Sequence, residues 1–139
     1  MIVYPDSSFI VSLYIPNVHS AKARRRLRYT PMLVTPLHRA EWAHAVARAV
    51  SVYGVSAKEL HAVTKYFERD CRSGLWKDVA LPEMAFERCI RLAEQYAARL
   101  SCGTLDTLHV ASALELGAER FLTFDNGQAK LARLTGLKL

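Results

Sequence analysis

The sequence of 139 residues has few cysteines and no long hydrophobic run. Its three cysteines, Cys71, Cys89 and Cys102, form no CxxC pair, and their odd number argues against a disulfide framework. No apolar stretch approaches the length of about 20 residues that spans a membrane, and Asp6 interrupts the N-terminal apolar segment that a signal peptide would need. We therefore expect a soluble cytoplasmic protein that does not associate with membranes.

Several motifs of other enzyme classes are also missing. The segment DSSFIV follows the first predicted strand in place of the GxGxxG of dinucleotide-binding domains, and no Ser-His-Asp or Cys-His arrangement is evident. His38, Glu41 and His44 are spaced by three residues and do not form HExxH, which argues against a zinc site. A phosphohydrolase of the haloacid-dehalogenase type would carry a second aspartate two residues after Asp6. This chain has Ser8 there, so that class is a distant third hypothesis.

Basic residues outnumber acidic ones, which gives a net charge of +6 and a sequence pI of about 9.5. The excess is uneven, because the segment KARRRLR concentrates five cations: Lys22, Arg24, Arg25, Arg26 and Arg28. A basic surface favours a polyanion such as nucleic acid, through phosphate contacts and the release of counterions. A solvated helix face explains the same segment, so charge alone leaves both interpretations open.

Short apolar segments alternate with longer amphipathic ones along the chain, and the pattern predicts one domain over residues 1–139. The predicted strands cover 1–4, 32–35, 77–81 and 120–124, with a possible last strand at 137–139. The predicted helices cover 7–14, 18–28, 36–53, 57–73, 82–100, 105–116 and 126–135. This alternation indicates an α/β fold with a parallel sheet, whose functional sites form at the carboxyl ends of the strands.

Aspartates follow the first and the fourth predicted strands. Asp6 comes after MIVY and Pro5, and Asp125 comes directly after RFLTF. Either acid alone is explained as the N-cap of the next helix, and DNGQ carries a glutamine three residues after its acid, close to a capping box. If the two strands are neighbours, however, both acids lie at the same edge of the sheet and share a site.

Two further acids lie near the starts of helices. Asp106 falls within the apolar stripe of its helix, so its carboxylate is expected to point inward and to need a partner or a cation. That stripe consists of Leu105, His109, Val110, Ala113 and Leu116. The alternative for Asp106 is a first-turn acid that interacts with the helix dipole, and His109 is interpreted as a satisfied core residue. Glu41 belongs to a narrow polar stripe with His44, Arg48 and Ser51, which could simply face water.

Four segments follow one another at characteristic separations: VYPDSSFIVSLY, HRAEWAHAV, DTLHVASAL and FLTFDNGQAKLARLTGL. Together they resemble a PIN-domain ribonuclease of the kind found as the VapC toxin of VapBC toxin–antitoxin pairs. The resemblance covers essentially the whole chain, and DTLHVASAL is its most specific segment. Two residues depart from the usual pattern: Pro5 replaces an ordinary apolar residue, and Ser7 stands where threonine is common.

The resemblance implies a three-layer α/β/α domain with a central, mainly parallel sheet of four to five strands flanked by helices. It also implies that four acids converge at the carboxyl edge of this sheet, act in catalysis and hold one or two Mg²⁺ or Mn²⁺ ions. These acids are Asp6, Glu41, Asp106 and Asp125. Ser8, Thr123 and Asn126 would support them, and part of the basic segment from Lys22 to Arg28 would contact RNA.

The function that the resemblance implies is a metal-dependent endoribonuclease, the toxin of a type II toxin–antitoxin system. Such an enzyme would cleave RNA phosphodiester bonds with a metal-activated water. Its expected partners are an RNA substrate, a small antitoxin protein and a second copy of the chain in a homodimer. The alternative is a non-catalytic RNA- or partner-binding domain on the same fold, although this chain keeps all four acids. The sequence does not indicate which RNA is cut.

Overall fold

The computed structural model describes residues 1–29 and 31–139. Its strands are β1 (Val3–Pro5), β2 (Met32–Val34), β3 (Trp76–Asp78) and β4 (Arg120–Leu122). Its helices are α1 (Ser7–Tyr14), α2 (Ser20–Arg25), α3 (Pro36–Tyr53), α4 (Ala57–Arg72), α5 (Met84–Tyr96), α6 (Thr104–Glu115) and α7 (Asn126–Leu134), and a short 3₁₀ turn spans Leu27–Tyr29. None of the helices in the described ranges is long and apolar enough to cross a membrane.

Local capping signals set the predicted boundaries of α3 and α4. Pro36 opens α3, where its missing N–H is no loss, and Gly54 ends the helix in a left-handed conformation with φ of 63°. Ser56 and Glu59 form a capping box at the start of α4. Ser56 Oγ accepts from Glu59 N at 3.2 Å, and Glu59 Oε2 accepts from Ser56 N at 2.8 Å.

Several predicted elements are shorter or shifted in the structure. The helix predicted over 18–28 covers only Ser20–Arg25, because Arg26 N donates to Ala23 O at 3.0 Å and ends it before the 3₁₀ turn. β3 begins one residue early, because the Trp76 side chain is buried in the core. α5 ends at Tyr96 instead of near residue 100, since Arg99 N donates to Tyr96 O at 2.9 Å and closes the chain into a tighter turn. The predicted last strand contributes only a single parallel bridge, between Lys138 and Arg120.

The strands lie in the order β3-β2-β1-β4, and hydrogen bonds join them in two parallel pairs, β2 with β3 and β1 with β4. No ladder joins β1 to β2 in the described residues, and Pro5 accounts for part of this gap. Asp6 N donates to Leu122 O of β4 at 2.8 Å, so the preceding residue faces β2, where proline offers no N–H. The Pro5 carbonyl accepts instead from His38 Nε2 at 2.7 Å.

Successive strand residues enter two separate cores, one on each face of the sheet. In β1, for example, Val3 packs with α1, α2, α3 and α4, whereas Tyr4 packs with α5, α6 and α7. The residues of the other strands divide in the same way: Met32, Val34 and Leu122 join Val3, and Leu33 and Phe121 join Tyr4. This division confirms the predicted α/β/α arrangement with parallel strands. The assignment of residues 1–139 to one domain stays a prediction.

Candidate active site

Asp6 lies at the junction of β1 and α1 and is only 1 % exposed. It caps α1 by accepting from Phe9 N at 2.9 Å. Ser8 Oγ donates to its two carboxylate oxygens at 2.7 and 2.9 Å, and Thr123 Oγ1 donates to Oδ2 at 2.6 Å. Burial raises the pKa of Asp6 above its ordinary value, and the three donors oppose that rise without cancelling it.

The two hydroxyls that contact Asp6 are oriented by the backbone that follows β4. Phe124 N donates to Ser8 Oγ at 3.2 Å, and Asp125 N donates to Thr123 Oγ1 at 2.9 Å. Because each hydroxyl accepts an N–H on one side, its own proton is available for Asp6. Every group that contacts the Asp6 carboxyl in the described structure therefore donates, an arrangement suited to an ionised carboxylate, which only accepts. A buried acid whose hydrogen-bond partners all donate to it marks a candidate functional site.

One residue of α7, Gln128, connects Asp125 with Asp106. Its backbone N–H donates to Asp125 Oδ1 at 2.7 Å, and its side-chain Nε2 donates to Asp106 Oδ1 at 2.9 Å. Gly103 N donates to the other oxygen of Asp106 at 3.1 Å. The capping box predicted from DNGQ is thus only half formed, because the acid caps the helix while the glutamine side chain reaches a different helix.

Gly127 allows this first turn of α7 to lie against the loop before α6. A Cβ at this position would lie 2.6 Å from Ser101 O and 3.2 Å from Asp125 Oδ1. The first distance is too short for any side chain, and the obstacle is backbone, which cannot swing aside. The absence of a side chain at Gly127 therefore helps to set where Asp125 lies.

Glu41 of α3 is held by residues from two other helices. Ser7 Oγ donates to Glu41 Oε1 at 3.0 Å, and His109 Nε2 forms a short hydrogen bond with the same oxygen. His109 Nδ1 lies 2.9 Å from the Tyr4 hydroxyl. Burial raises the pKa of Glu41, but the hydrogen bond and charge of His109, together with the bond from Ser7, outweigh it, so that the net pKa is lowered. Glu41 is accordingly ionised at neutral pH.

A second buried histidine, His38, fixes the start of α3 against the end of β1. Burial and the nearby charge of His109 lower the pKa of His38 to about 3, so the ring is neutral at physiological pH. Its Nδ1 accepts from Thr35 N at 3.0 Å, and its Nε2 donates to Pro5 O. Both ring nitrogens of His38 are therefore occupied by protein partners.

Two cavities lie on either side of the Asp6 network. The Glu41 cavity, of about 520 Å³, is lined by Ser7, Ser8, Val11, Leu37, Ala40, Glu41, His44, Ala45, Arg48 and Leu105. The Asp125 cavity, of about 280 Å³, is lined by His19, Lys22, Arg26, Thr123, Phe124, Asp125, Asn126, Ala129, Arg133 and Leu139. Ser8 belongs to the first cavity and Thr123 to the second, and both donate to Asp6. The buried acid therefore lies between the two openings.

The predicted RNA-binding residues divide between these surroundings. Lys22 and Arg26 line the Asp125 cavity, whereas Arg24 and Arg25 are exposed on α2 outside it. Arg28 is exposed in the 3₁₀ turn. Only part of the KARRRLR segment thus faces a site acid.

The family model of the PIN domain matches residues 3–134, which include all four acids and run from β1 to the end of α7. The chain belongs to the PIN domain family. The predicted resemblance is therefore confirmed, and the chain is called the PIN domain below.

Several solved structures share the fold of this PIN domain at low sequence identity. VapC20 from Mycobacterium tuberculosis, a sarcin-ricin loop cleaving toxin, is 12% identical with a TM-score of 0.66 over 92% of this chain and 93% of that chain. VapBC2 from Rickettsia felis, in a structure bound to a DNA fragment from its promoter, is 15% identical. Its TM-score is 0.70, and the match covers 100% of this chain and 97% of that chain. FitAcB from Neisseria gonorrhoeae is 15% identical with a TM-score of 0.67 over 95% of this chain and 94% of that chain. No curated protein matches the chain.

The donor atoms of the site suit a divalent metal ion, which nucleases of the PIN domain family generally use. All four acids offer oxygen, the donor that Mg²⁺ and Mn²⁺ prefer. The side-chain carbonyl Oε1 of Gln128 is a further oxygen, buried and without a hydrogen-bond partner in the described structure. A cation would also compensate the charge of Asp6, whose burial is otherwise costly.

Thr123 links Asp6 with Asp125 and Gln128 links Asp125 with Asp106, but the four acids do not form one compact ligand cluster. Within residues 1–29 and 31–139, no three His, Cys, Asp or Glu side chains are grouped closely enough to hold one ion. Glu41 is held by His109, and Asp106 and Asp125 are held by Gln128. A metal ion shared by three acids would therefore have to replace some of these protein hydrogen bonds.

Two residues important to this site were assigned other roles from the sequence. His109 is buried and satisfied, as predicted for a core residue, but one of its partners is the site acid Glu41. The side chain of Gln128 does not complete the predicted capping box and instead holds Asp106. The sequence carried one signal, which is spacing. His109 lies three residues after Asp106, and Gln128 lies three residues after Asp125, so each is about one helical turn after a site acid.

The apolar stripe predicted for α6 is wrong at its first residue. Leu105 is 50 % exposed and lines the Glu41 cavity instead of entering the core. Residues 107–113 are all buried, because α5 and α7 cover α6 on different sides. Asp106 lies at the exposed end of this helix and is half-buried, and its partner is a side chain of α7.

Proposed function

We propose that this PIN domain is a metal-dependent endoribonuclease that cleaves RNA phosphodiester bonds at the site around Asp6. The observation that carries the proposal is the Asp6 network. A fully buried carboxyl receives only donors, from Phe9 N, Ser8 and Thr123, although nothing cationic touches it in the described structure. A structural cap would not need such an arrangement, since most capping acids are exposed to water.

In this proposal Asp6, with oxygens from Asp125, Asp106 and Glu41, would hold one or two Mg²⁺ or Mn²⁺ ions. When bound, such an ion neutralises charge on the scissile phosphate and lowers the pKa of a water molecule. Ser8 and Thr123 lower the pKa of Asp6 against the effect of burial and fix the orientation of its carboxyl group. Gln128 spaces Asp106 from Asp125, and His109 keeps Glu41 deprotonated. Asn126 lines the Asp125 cavity and would contact substrate there.

We further propose that the nuclease is the toxin of a type II toxin–antitoxin system and acts on RNA in the cytoplasm. The fold is shared with VapC20, a sarcin-ricin loop cleaving toxin, and with VapBC2 and FitAcB. The expected partner is a small antitoxin protein, and a homodimer is the expected assembly. Co-expression with the product of a neighbouring small gene, followed by co-purification and a mass measurement, tests both.

One observation favours the alternative of a non-catalytic binding domain. No three candidate ligands are grouped for one ion in the described chain. A domain that binds no metal would show no stabilisation when Mn²⁺ is added, whereas a specific ion stabilises the folded state by about 2.7 kcal/mol at ~100 times its Kd. Thermal unfolding with and without Mn²⁺ therefore separates the two functions without any assay of cleavage.

The test of the proposed reaction is cleavage of total cellular RNA by purified protein, with Mg²⁺ or Mn²⁺ and with EDTA. Asp6→Asn is the decisive variant, because asparagine still caps α1 but carries no charge. Asp78→Asn, at an exposed acid paired with Arg39, is the matched control. Fragments that require metal and Asp6 but not Asp78 support the proposal. An active Asp6→Asn variant, or full activity in EDTA, would refute it.

A further inference from the structure

The Asp125 cavity is lined by positive charge next to a site acid. Lys22 and Arg26 approach from α2 and its C-terminal cap, and Arg133 approaches from α7. Asp125 is the acidic side chain of the lining, and Leu139, which also lines it, has its backbone oxygen bonded to Arg120. An anion that approaches the Asp6 network from this side meets three cations first.

These three cations are not committed to other groups. No ion pair or side-chain hydrogen bond joins Lys22, Arg26 or Arg133 to another residue in the described part of the chain. Some cations elsewhere on the surface are paired, for example Arg39 with Asp78 and Arg88 with Glu115. Unpaired cations in a concave site retain their full capacity to bind an anion.

The same cavity also presents a flat aromatic surface. The ring of His19 stacks on Phe124, with centroids 4.4 Å apart and planes 7° from parallel. Phe124 stacks in turn on Phe9, at 5.8 Å and 16°, and Phe9 is fully buried in the core. His19 is therefore the exposed end of a three-ring stack anchored in the protein, and Phe124 covers only one of its faces.

The stack is coupled to the candidate active site through the backbone. Phe124 N donates to Ser8 Oγ, which contacts Asp6, and Asp125 follows Phe124 directly. A group that lies on His19 is thus held at a fixed position relative to the two site acids, Asp6 and Asp125. This coupling is what a binding site for a substrate of the same centre requires.

We propose that this cavity is a nucleotide-binding subsite, in which Lys22, Arg26 and Arg133 bind a phosphate of a single-stranded RNA and His19 stacks on one of its bases. The inference rests on the proposed function and assigns it a substrate-binding element. Cations beside an open aromatic face match the alternating phosphates and bases of a single strand. An acidic protein segment would use the cations but would gain little from the ring.

Binding of a labelled single-stranded RNA tests the subsite separately from cleavage. The probe is a mixed-sequence RNA of about 12 nucleotides, the background is Asp6→Asn in EDTA, and the readout is fluorescence anisotropy at several salt concentrations. The triple variant Lys22→Ala, Arg26→Ala and Arg133→Ala should weaken binding by at least about tenfold at low salt, with a smaller loss at high salt. The matched control, Arg24→Ala with Arg25→Ala, removes neighbouring charges from the same helix outside the cavity and should weaken binding far less.

Stacking is tested with a second pair of variants. His19→Ala should weaken RNA binding by about five- to tenfold with little dependence on salt, because stacking is not an ionic interaction. His19→Phe should restore it, since phenylalanine also offers an aromatic face. Circular dichroism and thermal unfolding establish that each variant is folded.

Several outcomes would overturn the subsite. The first is that the Asp6→Asn parent does not bind RNA at low salt. The second is that the cavity variant and the control variant lose the same amount of RNA affinity. The third is that His19→Ala binds RNA as tightly as the parent does. Binding of an acidic peptide, such as polyglutamate, that depends on the three cations while RNA binding does not would assign the cavity to a protein partner. If the parent protein cleaves RNA but the triple cavity variant binds RNA as tightly as the Arg24→Ala, Arg25→Ala control, only the subsite is refuted and the proposed function stands. Subsite-dependent binding without any cleavage refutes only the proposed catalysis.

Discussion

Replacing Thr123 by valine removes one of the hydroxyls that donate to Asp6 while preserving the shape of the side chain. The lost hydrogen bond is 2.6 Å long and ends on a carboxylate that is 1 % exposed. The change also leaves Asp125 N, which donates to Thr123 Oγ1 at 2.9 Å, without its partner. We expect Thr123→Val to be folded, less stable than the parent and strongly impaired in cleavage.

The size of the effect follows from the charge on the acceptor. A hydrogen bond to a charged group contributes about 1.5–3 kcal/mol, against about 0.5–1.5 kcal/mol for a neutral one. Thr135 supplies the neutral comparison, because it is also half-buried and its Oγ1 donates to the backbone carbonyls of Leu131 and Ala132. Thr123→Val should therefore lower the free energy of unfolding by about 1–2 kcal/mol more than Thr135→Val does.

The assay is thermal unfolding of the metal-free proteins in EDTA. For a chain of this length, a difference of about 1–2 kcal/mol corresponds to a Tm lower by roughly 3–8 °C in Thr123→Val than in Thr135→Val. Equal Tm values for the two variants would mean that Thr123 makes an ordinary neutral contact, and would refute the argument that it stabilises a charged Asp6.

The pH dependence gives a second test, and its sign follows from the pKa of Asp6. Burial raises this pKa in the folded state, so ionisation of Asp6 costs stability as the pH rises through the folded-state value. The Thr123 bond lowers the pKa and reduces that cost. The destabilisation in Thr123→Val should therefore be smaller at pH values below the folded-state pKa of Asp6, where the acid is protonated, and larger above it. A difference independent of pH would contradict the assignment to the ionised acid.

Two further substitutions test how the other acids are positioned. His109→Ala should lower the free energy of unfolding by about 2–4 kcal/mol, because it leaves a cavity and removes the hydrogen bond between His109 and the buried Tyr4 hydroxyl. Glu41→Gln should lower it by less than about 1 kcal/mol. Equal losses for the two variants in urea unfolding would contradict this. Gly127→Ala should destabilise by about 1–3 kcal/mol and reduce cleavage, since its Cβ would lie 2.6 Å from Ser101 O. Gly103→Ala is the control for Gly127→Ala, because a Cβ at Gly103 would make only ordinary contacts. Similar Tm values for the two alanine variants would show that a backbone shift relieves the contact with Ser101 O.

Much of the local structure was predictable because it depends on residues close together in the chain. Asp6 and Asp125 cap the helices that follow them, as predicted, through hydrogen bonds to backbone three residues on. The start of α3 at Pro36 and its end before Gly54 follow equally local rules of backbone geometry. The alternation of strands and helices, and the segments resembling a PIN domain, were sufficient to predict the layered fold and its family.

The partners of the acids were beyond the reach of the sequence, because they come from distant segments. Glu41 is paired with His109, 68 residues away, and Asp106 with Gln128, 22 residues away. Nothing in the spacing of KARRRLR distinguished Lys22 and Arg26, which face the Asp125 cavity, from their neighbours on the same helix.

Short-range hydrogen bonds and side-chain periodicity govern where helices begin, which acids lie at those beginnings and how strands alternate with helices, so these features could be predicted from the sequence. The enclosure of Asp6 by donors from two chain segments, with Thr123 contributed from 117 residues away, follows only from the folded structure. That enclosure exists because β1 and β4 pair in parallel and bring their carboxyl ends together. The charge state of a buried group depends on everything packed around it, and packing is a property of the whole fold.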